Sequence, residues 1–283
     1  MPSIKEVKNR IGSVKSTQQL TKAMKMVAAA KLKKAQDKVV QLRPYSKKLN
    51  GILSNLSGSV SNDLFLEKEI NNILVIIISS DKGLCGSFNS NLIKQFTSYC
   101  DNINTKKVSV LPIGKKAYDF FKKSEYNLIL DYWQSLNRFS YEKSSEICDY
   151  IISSFLDSKY DKVAIIYNEF KNVAVQKSVA DHFLPVIPES DEKKESNKNY
   201  IFEPNKNKIV NNLIPQSLKT QFLKAVLESN ASEQGSRMTA MSQATDNAGE
   251  LLKELKLTYN RTRQAAITKE ILEIVGGAEA LNN

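Results

Sequence analysis

The chain has 283 residues, 41% of them hydrophobic, enough for one or two domains of ordinary globular make-up. No apolar run approaches the roughly 20 residues that span a bilayer, and the charged N-terminus lacks a signal-peptide core, so a soluble intracellular protein is expected. The formal net charge is +11; the single histidine and three cysteines, with no CxxC pair, argue against a histidine metal site, most histidine acid–base catalysis and structural disulfides.

The first helix is predicted from Ser3 as N-cap, with Glu6 completing a capping box, to about Ser57. Steps of 3 and 4 from Ile4 run through Val7, Ile11, Val14, Gln18, Thr21, Lys25, Ala28, Leu32, Ala35, Val39, Leu42, Ser46, Leu49, Leu53, Leu56 and Val60. All but Gln18, Thr21, Lys25 and Ser46 are apolar. A 3.5-residue period held this long specifies a coiled-coil seam. Pro44 should kink the helix without stopping it.

From residue 72 the period changes. Asn72-Ile-Leu-Val-Ile-Ile-Ile-Ser-Ser80 reads as a strand buried on both faces. A turn follows, Asp81-Lys-Gly-Leu-Cys-Gly-Ser-Phe-Asn89, then a helix to about Tyr99. Strands are predicted at Lys107–Ile113 and Lys162–Tyr167, and helices at Lys115–Lys123 and Ser140–Leu156. Segments near Val173–Val186 and Tyr200–Glu203 are read as antiparallel additions, and Glu189–Lys198 as a charged loop. Alternating strands and helices imply a small, mostly parallel α/β sheet. The domains expected are residues 1–60, 70–205 and 208–283.

The last segment repeats the seam from Met238 through Met241, Thr245, Ala248, Leu252, Leu255, Tyr259, Thr262 and Ala266. The register then slips by one, to Ile267, Ile271, Ile274, Ala278 and Leu281. Paired with the first helix, this one should lose its partner near residue 263. Roughly 20 residues, or about 30 Å, are then left alone. Such an apolar end would mark a protein interface.

The charge is placed as unevenly as the seam. Residues 1–50 hold 13 Lys/Arg against Glu6 and Asp37, so the entire excess lies on the first helix. It is a solvated face, a nucleic-acid arm or the complement of an acidic protein surface. The turn at Gly83-Leu-Cys-Gly86 lacks the GxGxxG spacing, and Gly114-Lys115-Lys116 lacks a Walker glycine and Ser/Thr. Gly83 and Gly86 are read as turn formers, and Cys85 as a small semi-buried side chain. Met24-Lys-Met-Val-Ala-Ala-Ala-Lys31 lies where the seam turns polar, and its off-seam methionines and alanines should face an external partner. No catalytic, metal or cofactor constellation is visible.

Three stretches carry a resemblance: Ser16–Lys31, Ser80–Asn89, and Glu233–Ala248 with Tyr259–Ile274. Through them the chain resembles the γ subunits of bacterial F-type ATP synthases, the central rotor shafts. The resemblance implies an antiparallel left-handed two-helix coiled coil and a Rossmann-like central α/β domain. It implies a non-catalytic subunit of the proton-translocating synthase, carrying torque between the membrane c-ring and catalytic β subunits. The partners implied are the α and β subunits of the hexamer, the ε subunit and the c-ring. Membrane association comes only through the complex, on the cytoplasmic face of the inner membrane. Subunit contacts are expected at Met24, Lys25, Val27, Lys31, Cys85, Arg237, Tyr259, Arg263, Gln264, Ile271, Ile274 and Leu281. Arg263 and Gln264 match the pair that meets a loop of β, and Cys85 would lie near its acidic lever. Two other readings stand beside it, a basic coiled-coil module for nucleic acid and a small α/β enzyme with helical arms.

Overall fold

The structure, a computed structural model, describes residues 3–56, 63–66, 68–103, 107–136, 139–173, 175–186 and 205–282. Within the helices, the side chains at 50, 53–56, 206, 207, 210 and 278–282 fall outside that description. The expected strand at Tyr200–Glu203, the Glu189–Lys198 loop and seam position Val60 also lie outside the described residues. Two compact units result, Met1–Ala28 with Met238–Asn283, and Ala29–Arg237.

Helix α1 (Ile4–Leu56) and helix α5 (Lys206–Asn282) each pass through both units, with Pro44 and Pro215 inside them. The expected N-cap is present: the Glu6 amide donates to Ser3 Oγ at 3.2 Å. Satisfying an orphan amide this way favours initiation at Ser3 over the flanking residues.

In the unit formed by the chain's two ends, the sequence periodicity becomes burial. Val7, Thr21 and Ala28 of α1 are buried, and Ile4, Ile11, Val14 and Gln18 partly so. On α5, Met241 and Ala248 are buried, and Met238, Thr245, Leu252, Leu255, Tyr259, Thr262 and Ala266 partly so. Three cross-helix bonds fix the direction of pairing. Gln18 Nε2 donates to the Thr245 carbonyl at 3.5 Å, Thr245 Oγ1 to Thr21 Oγ1 at 2.8 Å, and Lys25 Nζ to Ser242 Oγ at 2.9 Å. Numbering rises along one helix as it falls along the other, so the helices are antiparallel.

The other unit is an α/β sheet between helices. Its strands are β1 (Asn72–Ile78), β2 (Lys107–Ile113), β3 (Asn127–Leu128), β4 (Lys162–Phe170) and β5 (Gln176–Leu184). They are ordered β3-β2-β1-β4-β5, parallel except for β5, which pairs antiparallel with β4. The two-residue β3 was not foreseen. The remaining helices are α2 (Phe88–Asp101), α3 (Lys115–Phe121) and α4 (Tyr141–Leu156).

Strand β1 shows why this run of β-branched residues is a central strand. Ile73, Val75 and Ile77 pack on one face with Phe88, Leu92 and Phe96 of α2 and Phe121 of α3. Leu74, Ile76 and Ile78 pack on the other with Ile147, Ile151 and Phe155 of α4 and Leu218 and Phe222 of α5. With both faces covered, an uninterrupted apolar run is the stable pattern. A smaller cluster joins Leu32 and Ala35 of α1 to Ala231 of α5, with Phe170 and Val173 against it.

Candidate functional site

The strand order places the topological switch between β1 and β4, from which the chain runs outward on either side. In open α/β sheets, ligands enter the crevice beyond the carboxyl ends of the strands at this point. Here that crevice is filled by α5. Ser229 Oγ donates to the Ile78 carbonyl at the end of β1 (3.2 Å), and Ser232 Oγ to that of Asn168 in β4 (2.8 Å). Ser236 Oγ donates to the Cys85 carbonyl in the loop after β1 (2.6 Å). The three serines are buried, and their spacing of 3 and 4 puts them on one helix face. Gly235 sits beside them; a Cβ there would lie 3.4 Å from the Phe170 ring.

The phosphate-cradling positions are occupied in the same way. At the start of α3, the amides of Lys115, Lys116 and Ala117 donate to Asp81 Oδ1, the Ser80 carbonyl and Ser79 Oγ, at 3.1, 3.0 and 2.9 Å. A helix N-terminus binds anions through free amides, and these are engaged by the chain itself.

The turn after β1 is tied down by side chains. Asn89 Nδ2 donates to Ser80 Oγ at 2.8 Å and to Cys85 Sγ at 3.2 Å, while its Oδ1 accepts from the Ser80 amide at 3.1 Å. Arg237 forms an ion pair with Glu233 one helical turn away, and donates to the carbonyls of Lys82 (2.9 Å) and Gly83 (3.3 Å). Burial pushes the Glu233 carboxyl above its ordinary range, opposed by Arg237 and, more weakly, Lys31, while Asp81 pushes it further up. The turn's two left-handed residues are Leu84 (φ 63°) and Gly86 (φ 59°). Gly83 does not need its conformational freedom here, and Leu84 adopts a backbone that disfavours a side chain while standing 64% exposed.

These positions correct two expectations. Cys85 is buried, so its side chain offers no surface to a partner; Leu84 beside it does. Met24 is not an outward residue but partly buried, whereas Lys25, on the predicted seam, is exposed. The spacing from Thr21 to Ala28 is kept, but its middle member moves back one residue. A flexible thioether fills the seam, while the ammonium stays in water and reaches Ser242 across it.

The other predicted contact residues divide clearly. Val27, Lys31, Arg263, Gln264, Ile271 and Ile274 are exposed; Tyr259 is half-buried in the seam, and Arg237 is mostly buried. Leu281 belongs to α5, but its side chain is outside the described residues. Burial along α5 ends at Ala266, and every described residue from Ile267 to Gly277 is exposed. Ile267, Ile271, Leu272, Ile274 and Val275 form an apolar stretch in water. All 13 basic residues of the first 50 are exposed. Among the described residues, the ion pairs all lie outside α1. The three serines of α5 were missed because a helical serine reads as neutral in sequence. The available signal was a run poor in large apolar residues, Ser229 to Ser236, whose only charge is Glu233.

Comparison with known proteins gives consistent results. A family model described as ATP synthase matches residues 3–281. The chain is 50% identical over 295 residues to the ATP synthase gamma chain of Cytophaga hutchinsonii, and 50% identical over 289 residues to that of Amoebophilus asiaticus, covering all of each. Among solved structures it is similar to a chain of the Euglena gracilis mitochondrial ATP synthase OSCP/F1/c-ring. That match has a TM-score of 0.70 and 24% identity, covering 98% of this chain and 94% of that one. A chain of the Tetrahymena thermophila mitochondrial ATP synthase central stalk and c-ring matches with a TM-score of 0.59 and 27% identity, covering 80% of this chain and 99% of that one.

Proposed function

The chain belongs to the ATP synthase gamma chain family, and on that premise we propose how its surfaces act in the rotor of the enzyme. It is a non-catalytic subunit of ATP synthase. The observation that carries the reading is the abrupt end of burial at Ala266. The seam closes the two helices on each other up to that residue, and beyond it α5 carries apolar side chains that no described residue covers, the mark of a protein interface. A ring of α and β subunits is the cover we assign, with Ile271, Ile274 and Leu281 turning inside its apolar collar.

Below that tip, Arg263 and Gln264 meet a loop of β. The exposed lysines of α1, Lys25 and Lys31 among them, face acidic surface on β, and Val27, one turn from Lys31, shares its contact. The ε subunit and c-ring bind the α/β unit, which holds the chain to the cytoplasmic face of the membrane through the complex alone. An asymmetric shaft in a near-threefold housing presents different contacts to each catalytic site. Each site then takes the conformation its contacts favour, and rotation exchanges those states. Family membership supports this reading of the basic helix over the nucleic-acid one.

The test is to assemble the chain with the α and β subunits of its own synthase, tether the hexamer, and follow a probe on the α/β unit. ATP should drive stepwise rotation in one direction. Assembly without ATP-driven rotation would overturn the proposal.

A further inference from the structure

The serines that fill the β1/β4 crevice do more there than exclude a ligand. They hold α5 to the carboxyl edge of the sheet at three separate carbonyls, those of Ile78, Cys85 and Asn168. Two of these acceptors follow or end β1 and one lies in β4, so the bonds span adjacent strands. Asn168 is itself braced: its Nδ2 donates to the Phe88 carbonyl at 3.1 Å, and its Oδ1 accepts from Ser178 Oγ at 2.5 Å. The acceptors are thus tied to α2 and β5 as well.

The geometry matters for rotation about the helix axis. Apolar packing resists separation of a helix from a sheet but is non-directional, so a small turn of the helix exchanges one contact for another at little loss. A hydrogen bond weakens steeply as its angle departs from linear. Three of them on one face, at 3- and 4-residue spacing, are all misaligned by the same small turn. Arg237 adds a fourth attachment one residue further on, to the carbonyls of Lys82 and Gly83.

Resting on the rotor reading above, we propose that Ser229, Ser232 and Ser236 are the positioning residues that lock α5 against twisting on the α/β unit. Torque then passes between sheet and helix through backbone carbonyls and not through the apolar core alone. α5 is one unbroken helix to Asn282, so a twist blocked at Ser236 is carried along its length by the helix itself.

The test uses the assembled α, β and γ complex with a gold probe on a cysteine introduced by Lys94→Cys, an exposed position on α2. The hexamer is paused with a non-hydrolysable nucleotide and the probe's angular fluctuations are recorded. Replacing all three serines by alanine should raise the angular variance about twofold or more, since each bond contributes modestly by itself. ATP hydrolysis at saturating substrate should stay within about twofold of wild type. Ser→Cys at the three sites, which restores a weak donor, should recover part of the stiffness.

Thr220→Ala is the control. That hydroxyl is equally buried but donates to the Gln216 carbonyl of its own helix, so its loss should leave the variance at the wild-type value. Equal variance in wild type and triple variant overturns the lock. If the triple variant does not assemble, the single serine variants are read against Thr220→Ala, and equal variance among them overturns it likewise. A wild-type complex that never rotates on ATP defeats the rotor reading instead, so the two failures are distinct.

Discussion

Thr245 donates its hydroxyl to Thr21 at 2.8 Å, although 224 residues separate them in the chain. Thr21 passes the bond on to the Gln18 carbonyl at 3.0 Å, making a polar layer in an otherwise apolar seam. A polar pair at a core position fixes which residues face each other, because any slipped register would bury the hydroxyls against hydrocarbon. Thr21→Val should destabilise the chain by about 0.5–1 kcal/mol, since the cross-helix bond is lost while the Thr245 hydroxyl keeps the Met241 carbonyl of its own helix at 2.7 Å. The double variant Thr21→Val/Thr245→Val should recover most of that loss while weakening register selection. Chemical denaturation in a double-mutant cycle reads the first effect, and cross-linking of introduced cysteine pairs at alternative registers reads the second.

The exposed tip makes the opposite prediction. Ile271 and Ile274 are 54% and 66% exposed, so replacing both by serine removes little packing among the described residues. Stability of the isolated chain should change by less than about 0.5 kcal/mol. Rotation and ATP-driven ion pumping by the assembled complex should fall, since on the proposed reading the tip loses its apolar fit. A large loss of chain stability would show that the tip packs internally.

How far these features could be read in advance depends on the kind of force involved. The seam was legible because burial follows a fixed period, and the positions from Ile4 to Leu49 on α1 and from Met238 to Ala266 on α5 match the burial seen, apart from Lys25. That position failed because a period assigns angle only: at the seam's edge, whether Met24 or Lys25 turns inward is settled by the desolvation of an ammonium. The central strands announced themselves through β-branched runs, whereas β3 has too few residues to carry a pattern. The serine contacts were invisible for a different reason. Their acceptors are backbone carbonyls, which every residue has, so no complementary residue type appears elsewhere in the sequence.

Glu228 supplies a pH dependence. It is 4% exposed, and burial raises its carboxyl pKa above 4.5. Lys224 and Arg43 oppose the shift, while Glu169 and Asp181 reinforce it. A carboxyl with a raised folded pKa binds its proton more readily in the folded chain, so its contribution favours folding at low pH. That contribution declines as pH climbs from 4.5 through the folded value. Glu228→Gln should therefore match wild type near pH 4 and become progressively more stable than it toward pH 7. Little is lost with Lys224, which is 4.0 Å away and half in water. Glu233→Gln should move in the same sense with a smaller gain, because burial also raises Glu233 but the mostly buried Arg237 then loses its carboxylate. Urea midpoints at several pH values separate the two.

Gly114 tests the turn that closes off α3. Its φ is 103°, and a Cβ there would lie 2.5 Å from the Ser79 carbonyl oxygen and 2.7 Å from Ser79 Oγ. Ser79 Oγ is also the acceptor for the Ala117 amide. Gly114→Ala should then cost about 3 kcal/mol or more, from backbone strain together with a displaced cap. The fall in melting temperature should exceed that of Gly12→Ala, where no atom lies within 4 Å of the added carbon.

The filled crevice yields a final expectation about nucleotides. A Rossmann-like sheet with a glycine-containing turn after β1 invites the idea of a bound phosphate, yet both places where one would sit are taken by this chain's own groups. Ser229, Ser232 and Ser236 cover the switch point, and Asp81, Ser80 and Ser79 accept from the three amides that open α3. A nucleotide bound with Kd of about 10 μM would stabilise the chain by about 2.7 kcal/mol at 1 mM, a shift of several degrees in melting temperature. No shift should be seen with ATP or ADP on the isolated chain. Ser229→Gly/Ser232→Gly/Ser236→Gly should not create binding either, because the helix backbone would still occupy the crevice. A clear thermal shift in wild type would mean that α5 leaves the sheet edge, and with it the case for a fixed attachment there would fail.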